Sequence, residues 1–405
     1  MLKEVFMGTL NRVLVPFLII SLPIAAMLAY LAYYAHEKRR LPPTSPMVEP
    51  IEFGGDQWPV FRSNAALTGI VEGRFPDSLA LVWRFETADA VKSTPTASGG
   101  TVFISSMDGH LYAVDLATGQ AQWRFEADSG LEASPLIADG VVYVGSERGT
   151  FYAIDAADGS KRWTFETRGK IIGAANTFQD VATGRRRIVF GGYDNYLYCL
   201  DAETGDRVWQ QEAQSYINGA AAIADGAAVF GSCDGRLYIV PLDEPEQSRT
   251  VDIEAYMAAS PAIEDGVIYA GNYEGLFQAA RLEDGHILWQ SRREGVPFVS
   301  SPAVSADRVL FGARDKTLYC LDRQDGAQIW TFSATAGIDS SPVVCGDKVI
   351  FGSNNGRLYV VGLNDGRERF SYALGGAVSA GPAVVDSTVL VGCEDGAVYA
   401  FRAAP

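Results

Sequence analysis

The sequence predicts an all-β fold, an eight-bladed β-propeller with four-stranded blades, preceded by one N-terminal transmembrane helix. Three observations carry this expectation. A unit of about 40 residues recurs eight times, each unit holds four short strand-like runs, and a single long apolar stretch lies near the N-terminus. The expected organisation is a tail at 1–12, an anchor at 13–35, a Pro-rich linker and leader at 36–79, and a propeller at 80–405. Of the 405 residues 48% are hydrophobic and 20% charged, enough apolar content to exclude global disorder. The 42 glycines, about one residue in ten, fit a chain full of tight turns. A net charge of −16 repels phosphate backbones and argues against nucleic-acid binding. Only three histidines are present, which nearly excludes a multi-histidine metal site.

The apolar run Val13 to Ala35 contains no charge. As a helix it spans roughly 34 Å, enough for a bilayer core. Pro16 and Pro23 are tolerable in a membrane helix, and Tyr30, Tyr33 and Tyr34 lie at one end, where interfacial aromatics belong. A cleaved signal peptide would have a shorter apolar core followed by an Ala-x-Ala site, and neither is found, so an uncleaved anchor is expected. No Cys precedes Cys199, which excludes N-terminal lipoprotein processing. Lys3 and Arg12 flank one side of the run, and Lys38, Arg39 and Arg40 the other, a margin of one residue toward a cytoplasmic C-terminal part. Leu41 to Pro50 reads as a semi-rigid spacer.

The repeat is marked by a turn and the strand that follows it, as in Asp108-Gly109-His110-Leu111-Tyr112 and Asp234-Gly235-Arg236-Leu237-Tyr238. The second residue of the unit falls at 109, 149, 195, 235, 275, 316, 356 and 396, at intervals of 40, 46, 40, 40, 41, 40 and 40. In the first copy the strand-like runs are Ser93–Thr96, Thr101–Ser105, His110–Asp115 and Ala121–Glu126, alternating apolar and polar residues between Gly turns. Four strands in about 40 residues make a propeller blade. The longer interval is absorbed at Gln179–Arg187, a loop carrying the basic patch Arg185, Arg186 and Arg187. The eighth copy lacks a fourth strand at the C-terminus, and an orphan fourth strand, 82–86, precedes the first copy. This N-terminal strand, with Trp83, is expected to complete the last blade and close the ring.

The fourth strands carry a more specific pattern, Ala-x-Asp-x-x-Thr-Gly-x-x-x-Trp. It reads Ala113, Asp115, Thr118, Gly119, Trp123 in the first copy and Ala153, Asp155, Asp158, Gly159, Trp163 in the second. The third has Cys199, Asp201, Thr204, Gly205, Trp209, and the sixth Cys320, Asp322, Asp325, Gly326, Trp330. This pattern resembles the tryptophan-docking motif of the pyrroloquinoline-quinone (PQQ) repeat family. That family includes quinoprotein alcohol dehydrogenases and the non-enzymatic propeller of the outer-membrane β-barrel assembly machinery, BamB. The resemblance covers about residues 52–405 and includes a similar leader, Gln57-Trp58-Pro59-x-Phe61-Arg62…Thr68-Gly69. Physically, Asp and Gly build a hairpin turn, and Trp packs between blades over a large apolar area. Arg281 and Gly362 replace the Asp in copies five and seven, Phe370 replaces the Trp of the latter, and copy four has Pro241, Pro245 and no Trp. An irregular surface is expected at copy four, a candidate docking region.

The resemblance implies that an enzyme of this family would carry adjacent cysteines in a disulfide ring, a Ca²⁺ held by Glu, Asn and Asp, and a catalytic Asp. Here Cys199, Cys233, Cys320, Cys345 and Cys393 are scattered, as expected of small strand residues. Three residues before the aligned prolines of the innermost strands, the channel mouth reads Lys92, Glu132, Ile172, Asn218, Ala258, Val299, Asp339 and Ser379. A planar tricarboxylate wants several Arg or Lys and an aromatic floor; this ring offers one Lys and two acids. Lys92, Glu132, Asn218 and Asp339 are the candidates for contacting any channel ligand. The Asp155–Gly159 and Asp322–Gly326 turns partly resemble calcium loops, but lack the downstream Glu at EF-hand spacing. His110 and His286 belong to no triad and are expected to face solvent.

The resulting expectation is a non-catalytic, membrane-tethered, extracytoplasmic propeller that binds protein or peptide on one face, possessing neither a cofactor nor a metal. Its alternatives are a membrane-bound dehydrogenase using PQQ with Ca²⁺, and a sensor of a small ligand in the channel.

Overall fold

The Asp-Gly turns explain why the chain folds into blades. Gly109 takes φ +86°, and Asn195 and Lys316 hold the same left-handed conformation where the Gly is absent. The Asp108 carboxylate accepts from the backbone N–H of Ala88 in the preceding connection (2.9 Å), from His110 N–H (2.9 Å) and from the Tyr112 hydroxyl (2.8 Å). The same Tyr-to-Asp bond, at 2.6 Å, recurs as Tyr198–Asp194, Tyr238–Asp234, Tyr319–Asp315 and Tyr399–Asp395. Asp and Tyr therefore recur four residues apart because one carboxylate fixes a turn, a third strand and an incoming loop together.

The computed structural model describes residues 57–73 and 75–404. Among them are eight sheets, each built on four antiparallel strands that follow chain order except in the last. Blade 1 comprises Thr96–Ser98, Thr101–Ser105, His110–Asp115 and Ala121–Glu126. Its innermost strand starts three residues later than the sequence suggests. Pro95 has no N–H to give a ladder, and Ser93 and Thr94 use their polar groups on Ser105 O, Ser134 Oγ and Gly381 O instead. In blade 8, Leu79–Glu86 pairs antiparallel with Ala397–Ala403, so strands from the two ends of the ring form one sheet. Blade 7 gains a fifth strand, Ile70–Val71, which runs parallel to Val343–Cys345. The extra residues of blade 3 lengthen a hairpin, Asn176–Asp180 with Arg185–Gly191, and do not form a loose loop. Its arginines are neutralised: Arg187 lies between Asp180 (2.9 Å) and Asp201 (2.6 Å), Arg185 pairs with Asp201, and Arg186 with Asp139. Among the described residues no helix is long and apolar enough to cross a membrane; the expected span 13–35 lies outside them.

Blades are held to one another by tryptophan. The Trp of one blade reaches the motif turn of the next. Trp83 Nε1 donates to Leu116 O (2.9 Å), Trp123 to Ala156 O (3.1 Å), Trp163 to Ala202 O (3.1 Å) and Trp330 to Leu363 O (2.9 Å). The indoles cover Gly119, Gly159, Gly205 and Gly366, at each of which a Cβ would stand 2.6–2.7 Å from a ring atom. The motif Asp residues cap these turns: Asp115 accepts from Thr118 N–H, Asp155 from Ala157, Asp201 from Glu203 and Asp322 from Gln324. Trp289 of blade 5 docks on Gly326 in the same way, with Nε1 on Arg323 O at 2.9 Å. Blade 4 has a 3-10 turn, Pro245–Gln247, in place of an Asp-Gly turn, and half-buried Trp209 packs beside Cys199, Val240 and Leu242.

The close contact of Trp83 on Gly119 makes a quantitative prediction. Trp83→Ala should lower unfolding free energy by about 3–5 kcal/mol. Gly119→Ala should cost about 1–3 kcal/mol in the native background, through both its positive φ and the clash. In the Trp83→Ala background the Gly119→Ala cost should fall, which denaturant titration of the four proteins would show as a coupling energy. Additive costs would sink the docking account.

Candidate functional site: the axial mouth

Each blade sends an extended segment toward the axis before its innermost strand. Eight equivalent residues, Lys92, Glu132, Ile172, Asn218, Ala258, Val299, Asp339 and Ser379, are thereby brought around one cavity of about 330 Å³. Two residues further along, hydroxyls line the wall and lace neighbouring blades. Ser134 Oγ accepts from Thr94 N–H (2.9 Å), Ser260 from Ala220 (2.8 Å), Ser301 from Ser260 (3.0 Å) and Ser341 from Ser301 (3.0 Å). These hydroxyls satisfy amides that would otherwise be buried alone.

Phe61 of the leader also lines the cavity. The leader makes a circuit of the innermost strands. Trp58 O accepts from Ala97 N–H, Pro59 O from Ile137, Ala65 O from Ile223, Ala66 O from Ile263, Thr68 O from Val304 and Gly69 O from Val344, all at 2.7–2.9 Å. In blade 3 the Asn176 side chain replaces the backbone donor, reaching Ala65 O at 2.7 Å. Arg62 is fully buried, and its Nη1 and Nη2 bond Pro342 O (2.5 Å) and Pro302 O (2.8 Å). Burial pushes the Arg62 guanidinium down to about 9, so it remains a cation at neutral pH. Its charge is met by carbonyl dipoles of blades 6 and 7, and it lies against Gly69, where no side chain could fit.

The rim differs around its circumference. On one side Tyr193 stacks on Tyr216 (centroids 4.9 Å apart, planes 4° apart), and Tyr256 stacks on Tyr273 (4.4 Å). Tyr216 is 50% exposed. Asp339 is held by Arg314 in two bonds of 3.1 and 3.0 Å. The Arg314 guanidinium lies 5.5 Å from the Tyr273 ring centre and donates to its hydroxyl at 2.8 Å. Asn218 Nδ2 bonds Cys233 Sγ (3.1 Å) and Met257 O (3.3 Å). Burial pushes the Cys233 thiol up, away from thiolate chemistry. Lys92 and Glu132 make no ion pair with another described residue. The other four cysteines are buried. His110 Nδ1 stands 3.3 Å from Asp108 at the turn, and His286 N–H bonds Asp284. Among the described residues no three His, Cys, Asp or Glu side chains form a metal-binding group.

PQQ would bring three carboxylates into this cavity. Lys92 is the one cationic side chain of its lining, and Glu132 and Asp339 share the wall, so the donor set does not fit that group. Sequence reasoning reached the eight mouth residues through the proline alignment. It missed the leader's path, Trp289 and the rim tyrosines. Signals for the last two exist: Trp289 follows Gly285 by the same four residues that separate Gly119 and Trp123, and Tyr193 and Tyr273 hold equivalent positions in the third and fifth units.

Tryptophan-docked blades in an eightfold ring define the PQQ-like repeat class of propellers. The family model described as outer membrane protein assembly factor BamB matches residues 76–291 and 314–404, and the chain belongs to that family. Solved structures share the fold. BamB from Moraxella catarrhalis is 19% identical with a TM-score of 0.68, the match covering 80% of this chain and 98% of that one. A europium-containing methanol dehydrogenase is 13% identical with a TM-score of 0.74, covering 87% and 99%. The quinohemoprotein alcohol dehydrogenase from Comamonas testosteroni is 15% identical with a TM-score of 0.72, covering 86% and 81%. No match is found among curated proteins.

The Arg62 clamp is testable by amide exchange. Arg62→Ala should lower the local opening free energy at Val304 and Val344 by about 2 kcal/mol or more, since two buried carbonyls lose charged donors. Arg62→Lys should not restore protection, because one ammonium cannot replace the two-armed fork. Unchanged exchange at both amides would remove the leader clamp from the account.

Proposed function

We propose that this protein is a non-catalytic scaffold that binds a protein or peptide partner on the mouth face of its propeller, in envelope or outer-membrane protein assembly. The observation that carries the reading is the chemistry of that face. Paired, partly exposed tyrosines and an arginine stacked on one of them frame a small cavity, the residue types that anchor protein interfaces. Membership in the assembly-factor family supports the same class of partner. We further propose that residues 13–35 form the tether and that the propeller works outside the cytoplasm, a reading supported by the uncharged apolar run and by the resemblance to an outer-membrane assembly family.

Two measurements test this reading. Residues 41–405, mixed with PQQ and Ca²⁺ in a calorimeter and assayed for dye-linked alcohol oxidation, should give neither heat nor turnover. Micromolar binding with turnover would replace the scaffold by the dehydrogenase alternative. Full-length protein should fractionate with membranes, and a form lacking 13–35 should not; equal partition of the two would refute the tether.

A further inference from the structure

The mouth contains one occupied cation seat, and elsewhere on its wall a tyrosine and an acid that no described side chain bridges. In the occupied seat, the Arg314 guanidinium is sandwiched chemically between the Tyr273 ring and the Asp339 carboxylate. This is the arrangement that best compensates a half-buried guanidinium: a π face on one side and a bidentate acid on the other. Tyr193 holds in blade 3 the position that Tyr273 holds in blade 5, and Glu132 is, like Asp339, an acid of the inner mouth ring; Tyr193 and Glu132 stand on adjacent blades, where Tyr273 and Asp339 stand two blades apart. Tyr193 and Glu132 line the same cavity, and the Glu132 charge helps, after burial, to push the Tyr193 hydroxyl up to about 12. No described side chain hydrogen-bonds or ion-pairs with Glu132. The neighbouring cations are otherwise placed: Lys170 Nζ pairs with Glu147 at 2.9 Å, and Lys92 is exposed on blade 1. The inner mouth residues that follow Glu132 toward blade 6 are Ile172, Asn218, Ala258 and Val299, all uncharged; Lys170 on that side feels the Glu132 charge but gives its hydrogen bond to Glu147.

We propose that Tyr193 and Glu132 form a seat for an arginine or lysine side chain of a bound polypeptide, whose flanking residues lie across the Tyr216 and Tyr256 rim. The proposal rests on the protein-binding reading above and names the chemistry of the partner. Charge favours it twice. The five basic and five acidic residues before Gln57 cancel, so the whole −16 resides on the propeller and attracts a basic segment. At the seat itself, a docked cation would gain a carboxylate and an aromatic face together, both half-buried. The stacked pair of Tyr193 and Tyr216 presents a rigid platform, which lowers the ordering cost of docking.

The test uses full-length protein in detergent and three capped probes, Ac-Gly-Arg-Gly-NH₂, its neutral citrulline counterpart and Ac-Gly-Glu-Gly-NH₂, titrated up to 10 mM by NMR. The arginine probe should bind at least tenfold more tightly than the other two. Glu132→Gln should abolish that preference while leaving the unfolding midpoint unchanged, and Tyr193→Leu should weaken the arginine probe by a similar factor. Equal binding of all three probes, no binding of the arginine probe, or a preference that survives Glu132→Gln would overturn the proposal. A photocrosslinker placed at Tyr216 in the native membrane separates this failure from that of the scaffold reading. Crosslinks to one defined protein that persist in Glu132→Gln would keep the mouth as a docking face without the cation seat. Absence of any crosslinked protein would count against the docking face itself.

Discussion

The ring depends on how its axis is filled. Eight innermost strands converge there, each with one edge paired within its own blade and the other facing the axis. Buried amides must be paired. The leader meets this requirement with main-chain carbonyls in six blades and lets an asparagine side chain serve in a seventh. A segment that does this has to bend continuously, and it does so with Arg62, Ser63 and Leu67 at positive φ, conformations that cost free energy unless surrounding bonds enforce them. Arg62 is one of those enforcing groups, and its demand for two carbonyls fixes where the chain crosses blades 6 and 7.

Around the circumference the same logic is handed to tryptophan. The indoles of Trp83, Trp123, Trp163, Trp289 and Trp330 each cover a glycine on the next blade and give their one hydrogen bond to a carbonyl there, so the contact is both apolar and directional. Where blade 4 has lost its glycine turn, the neighbouring Trp209 is left against aliphatic side chains and the surface takes a 3-10 turn. The mouth inherits its shape from this regularity. Equivalent backbone positions carry different side chains, so the scaffold repeats while the chemistry around the rim does not.

Much of this architecture is legible in the residues. Asp108, Gly109 and Tyr112 specify a turn and its following strand by local bonds, and local bonds leave sequence signatures that recur with the period of the blade. The orphan strand around Trp83 could be matched to its sister Trp123 for the same reason. The mouth ring also followed from an alignment of prolines. What escaped were contacts without local signature. Arg62 bonds carbonyls 240 and 280 residues away, and the stacking of Tyr193 on Tyr216 joins two different loops. The innermost strand of blade 1 starts later than its residues suggest because Ser93 gives its hydroxyl to Ser105 O of its own blade and Thr94 bonds Ser134 and Gly381 of the two neighbouring blades.

Ring closure also has a consequence for biosynthesis. Arg84 and Tyr399, partners in the closing sheet, are 315 residues apart in the chain. At usual rates of synthesis the first strand emerges on the order of 20–60 s before its partner exists. During that interval Leu79–Glu86 is an unpaired edge rich in apolar residues, next to a leader whose own partners are also being made. A chain of this design therefore carries an open, association-prone edge until its last strand has been made.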